Sequence, residues 1–247
     1  MKETQNQKQH VLVNVILDKS GSMASKTNDV ILGFNSYLAG LAEEDKVDYS
    51  FSLTLFDTQV RHRDVAVPLS KVERLSSASY RPGGNTALND AIGTTVRKIE
   101  ADRPQVDKVV TVIMTDGEEN SSKEWTTDGI RALIEQKEKQ GGWTFVFMGA
   151  ALDAWNQGRS YGVRTANVAQ YDQDRYVEAF LCVATGTNAV ASQPKSRFED
   201  IFASVSKTLM RKAGLRQSGD MTRTNRHRDT KTQRGKGVRP PSRSGFE

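Results

Sequence analysis

Three nearly continuous apolar runs recur along the chain, and they constrain its fold more than any other feature. The runs are His10–Leu17, Lys108–Thr115 and Trp143–Gly149. Each has the length and composition of a strand that is buried on both faces. Such strands occur in parallel sheets that are covered by helices, so the runs predict an α/β fold.

Helical and alternating patterns fill the intervals between these runs. Asp29–Glu43, Thr86–Ala101 and Thr127–Gln140 repeat apolar residues at helical spacing and predict helices. Val47–Phe56 alternates and predicts a strand, and the short, charged run Arg61–Val67 predicts an edge strand beside it. We therefore predict a doubly wound, Rossmann-like, mostly parallel sheet with one antiparallel edge strand and helices on both faces.

The pattern continues after Gly149 with shorter elements. Asp153–Tyr161 predicts a helix, Val163–Val168 a last strand and Gln173–Ala184 another helix. Phe198–Leu209 predicts a further amphipathic helix. Its apolar face packs either on the domain or on a partner, and the sequence leaves both alternatives open.

Composition shifts abruptly near residue 211. Residues 211–247 contain 11 Lys and Arg against 3 Asp and Glu, whereas the whole chain has 35 against 30. Apolar anchors are few in this stretch, which predicts disorder in the free chain. We divide the chain into a polar extension (1–9), an α/β domain (10–191), an additional helix (192–210) and a basic disordered tail (211–247).

Oxygen-bearing side chains follow two of the apolar runs and precede one of the helices. Asp18, Ser20 and Ser22 come after the first run, Asp116 comes after the second, and Thr86 lies at the predicted start of a helix. Carboxyl ends of parallel strands gather ligands at one edge of a sheet, and hard oxygens suit Mg²⁺. An isolated Asp-x-Ser-x-Ser is more often an ordinary turn, so only the three segments together indicate a metal site.

The same three segments carry a family resemblance. Asp18–Met23, Gly84–Thr86 and Thr115–Asn120, in this order and spacing, resemble the three parts of the metal-ion-dependent adhesion site (MIDAS) of von Willebrand factor A (VWA) domains. The resemblance extends from about His10 to Val168. Among the members, the chain is most similar to the small stand-alone bacterial and phage type.

The resemblance implies a site and a function. Its metal ligands would be Asp18, Ser20, Ser22, Thr86 and Asp116, and the ion Mg²⁺ or Mn²⁺. The ion would accept an Asp or Glu from a partner protein, with Asp116 acting through water. The chain would thus be a metal-dependent protein-binding module, an adaptor or assembly factor that acts beside a partner such as an ATPase.

No pattern indicates an enzyme. His10, His62 and His227 lie in no loop of the motif, and Glu118 and Glu119, the nearest candidates for a general base, more often shape an acidic rim. The phosphate-binding motif G-x-x-x-x-G-K-[ST] is missing, so an ATPase would be a separate chain. We predict that the protein is not an enzyme.

Three features predict a cytoplasmic location. The one cysteine, Cys182, fits a reducing compartment, and the polar residues Met1–Gln9 do not form a secretion signal. No apolar run reaches the roughly 20 residues that a membrane helix needs. We therefore expect no membrane partner, and the oligomeric state is left open.

Two other functions remain as alternatives. The basic tail suits nucleic acid, which it would bind with a steep dependence on salt. It lacks interleaved aromatic residues for base stacking, however, so a solubilising extension is equally consistent. A structural component of a phage or surface assembly is the second alternative, which a homo-oligomer through Phe198–Leu209 would favour.

Overall fold

The structure is a computed structural model, and it describes residues 8–102, 105–149, 154–164, 167–171 and 175–192. The strands are β1 (Gln9–Asp18), β2 (Val47–Phe56), β3 (Val60–Pro68), β4 (Lys108–Thr115), β5 (Trp143–Gly149) and β6 (Val168–Gln170). The α-helices are α1 (Thr27–Ala42), α2 (Leu88–Asp102), α3 (Thr127–Gln140), α4 (Ala154–Ser160) and α5 (Tyr176–Ala191). Short 3₁₀ helices occupy Gly21–Lys26 and Leu69–Lys71.

The six strands form one sheet in the order β3-β2-β1-β4-β5-β6. β1 pairs in parallel with both β2 and β4, and β4–β5 and β5–β6 are also parallel. β3 pairs with β2 in the antiparallel direction and lies at the edge. The predicted fold class is therefore confirmed.

Two apolar cores lie on the two faces of the sheet. On one face, Val13 and Val15 of β1 pack in a cluster that includes residues of α1 and α5. On the other face, Leu12 and Ile16 pack in a cluster that includes residues of α2 and α3. Because β1 is covered on both sides, both sets of alternating side chains are apolar, which explains its continuous run.

Helices α1 and α5 approach each other closely on the first face. A Cβ placed on Gly33 of α1 would lie 2.4 Å from Cδ2 of Phe180 in α5. The ring centroids of Tyr37 and Phe180 are 6.0 Å apart, and Tyr37 also hydrogen-bonds Thr187 at 3.2 Å. Gly33 is therefore the residue that lets the aromatic side chain of α5 reach the backbone of α1.

Two of the predicted boundaries that differ from the structure do so for a local reason. The helix predicted from Thr86 begins at Leu88, because the backbone of Thr86 is held by Asn120 of another loop. The last strand is Val168–Gln170 rather than Val163–Val168. Gly162, with φ of 75°, turns the chain after α4, and Val163 and Arg164 follow it outside any strand.

The last helix predicted within the domain, Gln173–Ala184, is observed as the longer α5. The additional helix (192–210) lies outside the described residues apart from Ser192, and the basic tail (211–247) lies wholly outside them. Within the described ranges, no helix combines the length and apolar character that crossing a membrane requires.

Cys182 lies in α5 with its side chain in the core and 1% exposed. Burial raises the pKa of its thiol to about 12. We expect Cys182 to react with a thiol reagent at pH 8 about 1000-fold more slowly in the native protein than after unfolding, since the reactive thiolate is scarce. Timed labelling with mass spectrometry, with and without denaturant, measures this ratio, and equal rates would contradict the burial of Cys182.

Candidate functional site

Backbone hydrogen bonds tie the loop after β1 to the loop before α2. The amide of Gly83 donates to the carbonyl of Lys19 at 2.8 Å, and the amide of Gly21 donates to the carbonyl of Gly84 at 3.0 Å. Gly84 has φ of 75°, a conformation that glycine adopts without strain. Two segments that are more than 60 residues apart in sequence are thereby held side by side.

The loop after β4 is joined to the same assembly through Thr86. The amide of Thr86 donates to the Asn120 side-chain oxygen at 2.9 Å, and the amide of Asn120 donates to the Thr86 carbonyl at 3.0 Å. This reciprocal pair fixes the second predicted segment against the third. All three segments of the motif therefore meet at the carboxyl ends of β1 and β4.

Asp18 ends β1 with its carboxylate fully buried. Its Oδ1 accepts from the amide of Ser20, and its Oδ2 accepts from the hydroxyl of Thr115, both at 2.6 Å. Tyr80 donates its hydroxyl to the Asp18 carbonyl at 2.6 Å. The orientation of the carboxylate is thus set from two sides.

Burial raises the pKa of the Asp18 carboxyl, and the charge of Asp116 raises it further. The hydrogen bonds from Thr115 and Ser20 oppose this effect only in part. Ionisation of Asp18 therefore costs free energy in the folded chain relative to the unfolded chain. A bound cation would offset that cost.

A row of hydroxyls connects Ser20 to Asp116. The hydroxyl oxygens of Ser20 and Ser22 are 3.1 Å apart, and Ser22 donates to Oδ1 of Asp116 at 2.6 Å. The other oxygen of Asp116 forms an ion pair with the ammonium of Lys26. Three of the predicted ligands are thus linked directly, and the amide of Ser20 joins them to Asp18.

Thr86 completes the predicted set from the opposite side. A Cβ placed on Gly117 would lie 2.9 Å from Oγ1 of Thr86 and 3.6 Å from Oδ2 of Asp18. The two oxygens therefore converge beside Gly117, where a larger residue would crowd them. The structure brings all five predicted residues into one neighbourhood.

The donor set fits a hard divalent cation. Two carboxylates and three hydroxyls provide only oxygen, which suits Mg²⁺ or Mn²⁺ better than Zn²⁺ or copper. Within the described part of the chain, no group of three or more His, Cys, Asp or Glu residues is placed to hold a metal. A metal at Asp18 and Asp116 would therefore depend on the hydroxyl oxygens as well.

Several supporting residues were not predicted from the sequence. Lys26 and Thr115 contact the two aspartates directly, and Tyr80 contacts the backbone of Asp18. The one sequence feature that could have indicated a role for Thr115 is its position at the end of a predicted strand, immediately before Asp116. Nothing in the sequence spacing indicates that Lys26 folds back onto Asp116.

Glu119 organises the third loop. Its carboxylate accepts from the amides of Ser121, Ser122 and Asn89 and from the hydroxyl of Ser122, at 2.7–2.9 Å. Both of its oxygens are therefore engaged within the protein. Glu118 is exposed beside it.

A cavity of about 320 Å³ opens next to Asp116. Its walls include Glu118 and Glu119 of the third loop and Gln157 and Tyr161 after β5. Gln157 donates its side-chain amide to the carbonyl of Gly117 at 2.9 Å, which joins α4 to the site. The site thus borders a recess with acidic and neutral polar groups.

Solved structures share this fold at low sequence identity. Proximal thread matrix protein 1 from the mussel byssus is 15% identical, with a TM-score of 0.57 over 76% of this chain and 48% of that chain. A von Willebrand factor type A protein from Catenulispora acidiphila is 17% identical, with a TM-score of 0.50 over 74% and 43%. The ArnB paralog VWA2 from Sulfolobus acidocaldarius is 16% identical, with a TM-score of 0.50 over 70% and 45%.

The chain thus spans less than half the length of each of these solved structures. No curated protein matches the sequence. The family model described as the von Willebrand factor type A domain matches residues 13–174, which is well over half of the chain. The protein therefore belongs to the von Willebrand factor type A domain family.

Proposed function

We propose that this chain is a divalent-metal-dependent protein-binding module. The observation that carries the proposal is the convergence of buried Asp18 with Ser20, Ser22, Thr86 and Asp116 at the carboxyl edge of the sheet. These five residues would hold Mg²⁺ or Mn²⁺ in the manner of a MIDAS. A bound ion would supply Lewis acidity toward an Asp or Glu carboxylate of a partner.

The roles of the protein groups follow from their contacts. Thr115 and the amide of Ser20 orient Asp18, so that its carboxylate is positioned before any ligand arrives. Ser22 orients Asp116 in the same way. Because the loops are already joined by backbone hydrogen bonds, ordering the site adds little entropic cost to binding.

We propose a binding role rather than catalysis. Both oxygens of Glu119 accept hydrogen bonds, Oε1 from the amide of Ser121 and Oε2 from the amide of Asn89 in α2, so this carboxylate is not free to act as a base. His10 and His62 lie on strands, where His10 hydrogen-bonds Ser50 at 2.9 Å and His62 hydrogen-bonds Thr54 at 3.0 Å, and neither belongs to a motif loop. A hydrolase would need a positioned base beside the metal.

The proposed partner class is a protein with an exposed acidic residue. Within the family resemblance, the chain fits the small stand-alone bacterial or phage type, which would make it a cytoplasmic adaptor or assembly factor. A partner ATPase is one such protein. The acid of the partner would approach at Asp116, where the recess beside the site is open.

Partner capture tests the proposed function. Immobilised full-length protein is incubated with host lysate and nuclease, in Mg²⁺ or in EDTA, at low and high salt. Proteins retained only in Mg²⁺, and lost from the Asp116→Ala variant, would support the proposal. Retention that ignores EDTA but disappears with salt would instead assign binding to the basic tail.

Lys26 is expected to lower the metal affinity of the site. Its ammonium pairs with Asp116, so a divalent cation must compete with it for that carboxylate. We expect Lys26→Met to tighten Mg²⁺ binding about tenfold, which corresponds to about 1.4 kcal/mol. Calorimetric titration of Mg²⁺ into the metal-free protein measures the change.

Lys19→Met is the matched control for this variant. Lys19 lies in the same loop but pairs with Asp57, which is outside the proposed ligand set. This control removes the same charge and is expected to leave Mg²⁺ affinity nearly unchanged. An equal gain in both variants would show that net charge, rather than competition for Asp116, sets the affinity.

A further inference from the structure

A second concave surface lies at the end of the sheet opposite the candidate site. It is a groove of about 480 Å³ between the carboxyl-terminal part of α1, the start of β2 and the segment after β3. Apolar side chains in its lining include Leu38, Leu41, Val47, Leu69 and Val72. We call it the α1–β2 groove.

The apolar character of this groove is only partly covered. Leu69 and Val72 pack against the core cluster but remain partly exposed. Ala39 and Ala42 of α1 are exposed along the same lining. An apolar recess of this kind is commonly a contact surface.

The end of α5 brings the chain to the mouth of this groove. The hydroxyl of Ser192 donates to Oε2 of Glu44 at 3.4 Å, and the Tyr49 hydroxyl donates to the side-chain oxygen of Asn188 at 2.7 Å. Both Glu44 and Tyr49 line the groove. Everything after residue 192 must therefore leave from this point.

The residues that follow have the pattern of an amphipathic helix. Apolar side chains recur at helical spacing, namely Phe198, Ile201, Phe202, Val205 and Leu209. Only the six residue steps from 192 to 198 precede this stripe, and they span at most about 20 Å when extended. The stripe therefore begins within reach of the groove.

Charges on the two surfaces are complementary in part. Glu44, Asp45 and Asp48 lie on the lining of the groove, and Lys8 and Arg74 line it as well, so its acidic residues outnumber its basic ones by three to two. Lys195 and Arg197 precede the apolar stripe and would pass this acidic rim on the way in. Attraction between exposed charges is weak individually, but it favours one direction of entry.

We propose that residues 198–209 form a helix that docks its apolar stripe into the α1–β2 groove of the same chain. Docking of this helix would cover both its own apolar stripe and the apolar lining of the groove. The short connection from residue 192 favours a contact within the same chain. The basic residues 211–247 would then leave from the end of the domain opposite to Asp18 and Asp116. A partner at the candidate site and a ligand of the tail would be bound at separate ends.

A spin label in the full-length chain tests this arrangement. Ser206 flanks the stripe, so a nitroxide is attached to Ser206→Cys, while buried Cys182 stays unmodified. Amide signals of Ala42, Leu69 and Val72 are expected to lose most of their intensity. Amides of the candidate site at the other end of the sheet, such as that of Gly117, are expected to keep theirs.

Matched variants separate docking from chance proximity. Phe202→Asp places a charge within the stripe and is expected to restore the groove signals, whereas Lys207→Asp lies on the opposite side of the predicted helix and is expected not to. Loss of signal at another surface, or no loss anywhere, would overturn the proposal.

A second copy of the chain is the remaining occupant to exclude. Spin-labelled protein without isotope is mixed with isotope-labelled protein that carries no spin label. Broadening of Leu69 and Val72 in this mixture would show docking between copies and would overturn the intramolecular proposal. Unchanged spectra in the mixture, together with broadening in the chain that carries both the spin label and the isotope, would support intramolecular docking.

Discussion

Replacing Asp18 with Asn is expected to abolish the stabilisation that Mg²⁺ gives to the native protein. A ligand that binds only the folded state at 100 times its dissociation constant stabilises it by about 2.7 kcal/mol. For a domain of this size, that is about 5–10 °C in the melting temperature. The variant keeps the shape of the side chain but removes one of the two carboxylates that would hold the ion.

The same substitution is expected to have the opposite effect in EDTA. Burial raises the pKa of Asp18, so the folded state disfavours the ionised form, and this cost is fully present at neutral pH. Asp18→Asn removes the charge and is expected to be more stable than the wild type without metal. The advantage should shrink as the pH falls through the raised pKa toward the unfolded value near about 3.9, because the wild-type carboxyl then becomes neutral as well.

Melting curves with Mg²⁺ and with EDTA, at neutral and acidic pH, measure both effects. Asp102→Asn is the matched control, since Asp102 carries the same charge but is exposed in an ion pair with Lys98. This control should keep the full response to Mg²⁺. A wild-type response to Mg²⁺ in Asp18→Asn would contradict the proposed metal site, and the stability in EDTA shows separately whether the variant folds.

Lys108→Met is expected to destabilise the fold by about 2–4 kcal/mol. Lys108 opens β4 and is only 2% exposed. Its ammonium donates to the carbonyls of Val190 at 2.7 Å and Ala191 at 3.2 Å, at the carboxyl end of α5. The variant leaves these carbonyls without that donor and removes a cation from the negative end of the helix dipole.

Chemical denaturation measures this loss as a lower midpoint with an unchanged slope. Lys98→Met is the control, because Lys98 is partly exposed on α2 and pairs only with Asp102 among the described ion pairs. Such surface pairs contribute about 0–1 kcal/mol. Equal losses in the two variants would show that Lys108 does not stabilise the end of α5.

Strands that are buried on both faces could be predicted closely from the sequence. β4 and β5 have the predicted bounds, and β1 extends the prediction by one residue at each end. In such a strand the length of the apolar run is the length of the strand. β6 was misplaced because it pairs with only three residues of β5, and the turn at Gly162 sets its position.

The candidate ligands could be predicted because strand ends meet at one edge of a parallel sheet. The contacts that position them could not be predicted. Thr115 reaches Asp18 and Lys26 reaches Asp116 across more than 85 residues of sequence. Such contacts depend on strand register and on the turn of the 3₁₀ helix, neither of which leaves a periodic signal.

The sequence by itself therefore determined the α/β class, the central strands and the oxygen-bearing residues at their ends. Burial periodicity and turn chemistry are local properties, which neighbouring residues encode directly. Only the tertiary structure decided which groups face Asp18 and Asp116, and that α5 ends beside Glu44 at the far end of the sheet. Those contacts join distant segments, and their geometry exists only once both cores have packed.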